Sequence, residues 1–402
     1  MPIAGKSGES HPRNNMMSPS TAEKKTLAID LRCLPLDGSP GAGIAHASRA
    51  LASALHRTAP PDWQIDAYTC GDPLLDPNIS RVSLKSPRVI ELIKALNQNK
   101  PTALFSPTGS APPFLKIPAI PWIHDLDILD HPEWFPESRL KRFYTTSIVK
   151  RGLKKAPVVF TVSEYTKEQI ERLASIPEEK IMITKESGDP EWENIEESEL
   201  LRLRAEITHS LRVQEIGGAF VLMLGTIEPR KNHEFILKIW RQISTTYPHV
   251  QLIIAGKRGW KTDEFDRALS ILNQPINHHI PSVICLEDVD DDLRKALLLS
   301  AQLVLVPSKS EGFGLVALES AQVRTPVLTS DKGALPEVLG RGMWTLPLDE
   351  KEWKETILDL LEQKNEREVM ADQQYGIARE LTWNAVARTV WTGLNENVER
   401  RT

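Results

Sequence analysis

The chain is poor in cysteine. It has three, Cys33, Cys70 and Cys285, odd in number and far apart over 402 residues. That excludes a disulfide framework and a cysteine-built zinc cluster, and it fits a reducing compartment. Long apolar runs are also missing, and none approaches the roughly 20 residues of a membrane-crossing helix. Positive charge is not in excess: 49 Lys and Arg stand against 54 Asp and Glu, a formal net charge of -5. No nucleic-acid partner is expected, and any phosphate-binding charge has to be local. Residues 1–25 are rich in Ser, Pro, Asn, Gly and charge and have no apolar stretch of the secretory kind. They read as a disordered arm, and the protein as cytoplasmic.

Short apolar strands do recur. "TLAIDLRCL" (26–34) runs into a glycine-rich turn and then the helical pattern "IAHASRALASALHR". "WQIDAYTC", "ALFSPT", "IPWIHD" and "PVVFTVS" continue the alternation. After a charged stretch, "AFVLMLGT", "VQLIIAG", "SVICLED", "LVLVPS" and "PVLTSD" begin a second series. Strand and helix in alternation predict parallel sheets, here two α/β domains with a cleft between them. The expected boundaries are 26–190 and 216–378, with a linker over 191–215 and a C-terminal helix over 379–402.

Four stretches carry candidate chemistry. In "LVLVPSKSEGFGLVALESAQ" (303–322), Glu311 and Glu319 flank Gly312, Phe313, Gly314 and Leu315 where a strand turns into a helix. Ligands of open α/β sheets bind beyond the carboxyl ends of strands. Glycines there admit a close backbone approach, and free N–H groups at a helix start favour an anion. A carboxylate can accept from a sugar or ribose hydroxyl, although either Glu alone also fits an ordinary helix start. In "LGTIEPRKNHEF" (224–235), Arg230 and Lys231 are adjacent cations at another strand end. A fork and a point charge suit a leaving diphosphate, although a solvated basic turn has the same composition. In "PWIHDLDILDHPEWF" (121–135), His124 and Asp125 follow a strand, and the histidine could meet a sugar hydroxyl, shuttle a proton or serve structure alone. Asp125, Asp127, Asp130 and His131 match no metal-ligand spacing. "DGSPGAGIAHASRAL" (37–51) reads G-x-G-x-x-H, with His46 where a dinucleotide fingerprint needs its third glycine. Separately, "RLKRFYTTSIVKRGLKKA" (139–156) has seven basic residues and no acidic one. On a helix, Arg139, Arg142, Lys150 and Lys154 fall along one flank, suited either to an anionic membrane surface or polyprenyl diphosphate, or to water.

Together these residues resemble a known family. "EGFGLVALE" is similar to the E-x7-E motif of retaining glycosyltransferases of family 4, which have the GT-B fold. "GTIEPRKN" resembles that family's phosphate-binding turn, and "IHDL", "TVSEYTKEQI", "IAGKRGW" and "GALPEVLG" resemble further segments in the family's order. The resemblance covers roughly 26–398. It implies two Rossmann-like parallel-sheet domains facing a cleft, an acceptor domain followed by a donor-nucleotide domain, and a last helix crossing back to the first domain.

It also implies roles. Arg230 and Lys231 would hold the donor diphosphate, and Glu319 the ribose. Glu311 with the backbone of Gly312, Phe313, Gly314 and Leu315 would hold the donor sugar. His124 would contact that sugar, and Gly41, Gly43 and Asp125 would line the acceptor side. The partners would be a nucleotide-sugar donor and a glycan or polyprenyl-linked acceptor, and no metal or other cofactor is expected. Mannose from GDP-mannose is favoured, because "EPRKN" resembles mannosyl- and rhamnosyltransferases. Two departures, "TKESGDPEW" and "GIAHASRAL", fall on the hinge and acceptor side. A sugar-nucleotide 2-epimerase, an NAD-dependent oxidoreductase and a non-catalytic sugar-nucleotide binder are the alternative readings.

Overall fold

The computed structural model describes residues 24–35, 43–72, 74–109, 112, 115–136, 139–210, 216, 218–273, 282–340, 342 and 344–398, the side chains of 139–145 and 208–210 excepted. Residues 1–23 of the expected arm, Gly41, and the side chains of Arg139 and Arg142 lie outside the described residues.

The first sheet has seven strands: β1 Lys25–Asp30, β2 Trp63–Thr69, β3 Ser80–Ser83, β4 Ala103–Ser106, β5 Ala119–Ile123, β6 Val159–Thr161 and β7 Ile181–Ile183. Their order is β3-β2-β1-β4-β5-β6-β7, and every pair is parallel. The second sheet has β8 Phe220–Leu224, β9 Gln251–Ala255, β10 Val283–Leu286, β11 Leu303–Val306, β12 Val327–Ser330 and β13 Thr345–Leu346. Its order is β10-β9-β8-β11-β12-β13, again all parallel. Helices on both faces explain why β4 (ALFS) and β11 (LVLV) are buried at every position and read as unbroken apolar runs.

The chain order reverses in both sheets next to the first strand, at β1/β4 and at β8/β11. These are the switch points where the crevice of an open α/β sheet forms. The last helix, Trp383–Val398, crosses back to the first domain and lies along the helix Ile44–Arg57. Trp391 packs on Trp63 with ring centroids 5.5 Å apart and donates its indole N–H to the Leu55 carbonyl at 3.3 Å. Trp383 donates to the Gly188 carbonyl at 2.8 Å, which ties the crossover to the hinge. Among the described residues, no helix is long and apolar enough to cross a membrane.

Candidate active site

The site begins at the carboxyl end of β8. After Gly225 the chain passes into a short 3-10 turn, Pro229–Lys231, closed by Asn232 in the left-handed conformation (φ 58°). Asn232 donates its side-chain amide to the Pro307 carbonyl at 3.0 Å, and the Lys309 N–H donates to the Arg230 carbonyl at 2.8 Å. The Arg-Lys turn is thereby fixed onto the loop that follows β11.

That loop carries Glu311. Lys231 Nζ lies 2.7 Å from Glu311 Oε1 and Arg230 Nη1 lies 3.1 Å from Oε2, while the Ser308 hydroxyl donates to Oε1 at 2.6 Å. Burial pushes the Glu311 carboxyl up, but Lys231, Arg230 and Ser308 outweigh it and hold the acid down at about 2. Glu311 is thus an anion at any physiological pH.

Gly312 is forced by crowding: a β-carbon there would lie 1.8 Å from the His124 carbonyl oxygen, across the cleft in the first domain. Gly314 starts the helix Leu315–Gln322 at φ 109°, a conformation that disfavours any side chain. Phe313 is buried and Leu315 half-buried. Glu319 is buried in this helix, with Oε2 2.5 Å from Arg294 Nη1. Arg294 reaches on to Asp189 of the hinge at 2.8 Å. Burial raises the Glu319 carboxyl, Arg294 opposes it, and the net direction is upward. The two carboxylates of the motif therefore sit in two separate ion clusters, one on Arg230 and Lys231, the other on Arg294.

The first domain supplies the opposite wall. His124 stands at the end of β5, with Nε2 2.9 Å from the Pro107 carbonyl and Nδ1 2.9 Å from Glu186 Oε1. Burial disfavours the charged ring, Glu186 and the Pro107 carbonyl favour it more, and the pKa is raised. Both ring nitrogens are engaged, which fixes the orientation of the ring. Asp125 caps the next turn, accepting from the Asp127 N–H at 3.2 Å. Gly43 precedes the helix Ile44–Arg57 at φ 50° with open space around its α-carbon.

Sequence reasoning passed over several residues of this site. Arg294 lay in a charged stretch with no glycine turn to flag it, Glu186 in the departing segment "TKESGDPEW", and Ser308 and Ser310 among ordinary loop residues. Asp127 drew attention only as a metal ligand. It is buried at the domain junction, where Oδ1 accepts from Ser310 Oγ and from Gln169 Nε2, each at 3.0 Å. Among the described residues, no three His, Cys, Asp or Glu side chains converge as a metal site. A cavity of about 490 Å³ lies towards the hinge, lined by Ser163, Lys185, Glu186, Phe313, Glu337 and Thr382 among others. It is not lined by Arg230, Lys231, Glu311 or Glu319, so the charged cluster and this cavity are distinct places.

The Arg-Lys turn and the glutamate loop both lie in a stretch with known relatives. Residues 212–376 match the family described as glycosyl transferases group 1. O-antigen chain mannosyltransferase B of Escherichia coli is 28% identical over 278 residues, 68% of this chain and 69% of that protein. O-antigen chain mannosyltransferase RfbU of Salmonella typhimurium is 26% identical over 59% of each chain. Among solved structures, HepE of Anabaena, crystallised with UDP and glucose, superposes with a TM-score of 0.67 at 16% identity, covering 93% of this chain and 100% of that one. Sucrose-phosphate synthase of Thermosynechococcus elongatus gives 0.69 at 19%, covering 94% and 100%. At these identities the structural likeness speaks for the fold, which is GT-B.

Proposed function

We propose that this protein transfers a hexose, with mannose favoured, from a nucleotide-sugar donor to a glycan or lipid-linked acceptor of surface polysaccharide assembly. The carrying observation is the convergence of Arg230 and Lys231 on Glu311, between the carboxyl ends of β8 and β11. It falls inside the stretch that matches the group 1 transferases. The mannosyltransferase relatives and the "EPRKN" turn support mannose.

In this reading the two cations meet the diphosphate and stabilise the charge that develops as the sugar leaves. Glu311 accepts from a sugar hydroxyl, and Glu319 accepts from the ribose. The acceptor oxygen bonds to the anomeric carbon as the bond to phosphate breaks. Its proton passes to the departing phosphate oxygen on the same face, so configuration is retained. With two cations in place, the reading asks no metal ion of the reaction.

The test is a binding and hydrolysis screen across UDP-, GDP-, dTDP- and ADP-hexoses. GDP-mannose is expected to bind best, and its hydrolysis by water to give first the anomer that the donor carries. Appearance of the opposite anomer would remove retention, and no turnover or binding of any donor would remove the transferase reading.

A further inference from the structure

We propose that Asp127 takes up a proton when the donor binds, yielding Arg230 to the diphosphate and offering it a hydroxyl in return. The inference rests on the transferase reading.

Asp127 heads the short helix Asp127–Asp130 behind β5, and its side chain has no exposure at all. Oδ1 is occupied by Ser310 and Gln169, the first from the opposite domain. Oδ2 has no hydrogen-bond partner and lies 3.8 Å from Arg230 Nη1. A buried carboxylate oxygen without a donor is costly, so this contact with Arg230 matters to the ionised form.

The charges around the turn are unbalanced. Glu311 and Glu228 each lie 3.1 Å from Arg230, and Asp127 lies 3.8 Å from it. Three carboxylates therefore share Arg230 with its neighbour Lys231, and Asp125 adds a further negative charge nearby. A sugar-nucleotide diphosphate brings two more negative charges into the same space. One carboxylate has to be relieved. Glu311 has Lys231, Arg230 and Ser308, and Glu228 has the Nε and Nη2 of Arg230. Of the three, Asp127 is the carboxylate with a fully buried oxygen that nothing donates to, and that oxygen lies beside Arg230, the cation that would hold the phosphate.

The other groups around Asp127 fit. Asp125 and Asp130 stand on its own segment, and Arg172 is committed to Asp130 at 3.0 and 2.5 Å. The helix Glu164–Ala174 also presents Tyr165, whose hydroxyl lies 3.1 Å from Ser310 Oγ, and Gln169. The helix Arg139–Lys155 packs from the other side with apolar Val149 and Leu153. Burial and Asp125 push the Asp127 acid up, Gln169, Arg230 and Ser310 pull it down, and it stands at about 6. A diphosphate that draws Arg230 away weakens one of the downward pulls and adds like charge. Both changes raise the acid further, so at pH 7 the free protein is ionised here and the complex is protonated. Binding then weakens as pH rises above about 6, until the acid of the complex itself ionises.

Calorimetry on the whole chain reads this directly. UDP-, GDP-, dTDP- and ADP-hexoses are titrated, and the tightest binder is followed at pH 7 in two buffers of different ionisation enthalpy. These diesters have no group of their own that titrates near neutrality. Wild type is expected to take up about one proton per donor and to lose up to about tenfold in affinity per pH unit above 6. Asp127→Asn, with an amide that can donate as the acid would, is expected to take up none and to bind at pH 8 as wild type does at pH 6. Glu228→Gln is expected to keep the uptake. Donor binding by wild type without uptake overturns the inference whether or not Asp127→Asn folds, as does uptake that persists in Asp127→Asn or vanishes in Glu228→Gln. If no donor binds wild type, the transferase reading falls and takes the inference with it.

Discussion

Glu311 and Glu319 differ in what holds them, and the difference has consequences in binding. Glu311 is gripped by Arg230, Lys231 and Ser308. Glu319 answers to Arg294, which also bonds the hinge residue Asp189. Glu319→Gln is therefore expected to weaken binding of the free nucleoside diphosphate by about tenfold, the scale of one charged hydrogen bond. Glu311→Gln is expected to leave that affinity nearly unchanged and to lower the rate of sugar transfer. Calorimetry with the nucleoside diphosphate separates them, and equal losses of affinity would mean that the two roles are misassigned. At this scale the sequence was legible where a glycine turn marked the spot, as at 311–314 and 225–231. It was not legible at Arg294 or Asp127, whose importance comes from side chains brought in by other elements. Nothing in "DVDDDLRKALL" says that Arg294 will meet a glutamate 25 positions on.

Among the elements, strands such as β4 and β11 were legible because burial on both sides writes an unbroken apolar run, while β2 and β10 were read although partly exposed. β3 (SRVS), β7 (IMI) and β13 (TL) are short and lie at sheet edges, where that signal fades, and β3 is largely exposed. The periodic helix at the C-terminus was readable, because Trp383, Val386, Val390, Trp391 and Leu394 are all buried. Trp391→Ala, which removes the contacts with Trp63 and the Leu55 carbonyl, is expected to cost about 3 kcal/mol. Denaturant unfolding checks it, and an unchanged midpoint would mean that the crossover contributes little to the first domain. The helix Arg139–Lys155 poses a different question. Arg151, Lys154 and Lys155 are exposed along it. If it meets an anionic surface, each cation contributes about 1 kcal/mol, screened by salt. Co-sedimentation with anionic vesicles should then fall as salt rises, and should be lost when Lys150, Arg151, Lys154 and Lys155 are all changed to Glu. Wild type that ignores anionic vesicles at low salt would favour a soluble acceptor.

Over the whole molecule, the two sheets bring their switch points together and the domains close on each other through polar contacts. Ser163 donates to the Gly312 carbonyl at 2.7 Å, Glu337 accepts from the N–H groups of Glu164 and Tyr165 at 2.8 Å each, and Trp260 donates to the Trp134 carbonyl at 2.6 Å. Alternating strands and helices foretold two such domains, since that alternation is a property of each unit on its own. The closing contacts were not foretold, because they pair residues that are more than 100 positions apart and polar on both sides. The charged cluster on the second domain lies at this junction, so its chemistry depends on both halves. The most direct measurement is kcat/KM with the donor for Lys231→Ala against wild type. The account predicts a loss of at least about 2 kcal/mol in transition-state stabilisation, roughly thirtyfold. A value near that of wild type would contradict it and remove the Arg-Lys turn from the chemistry.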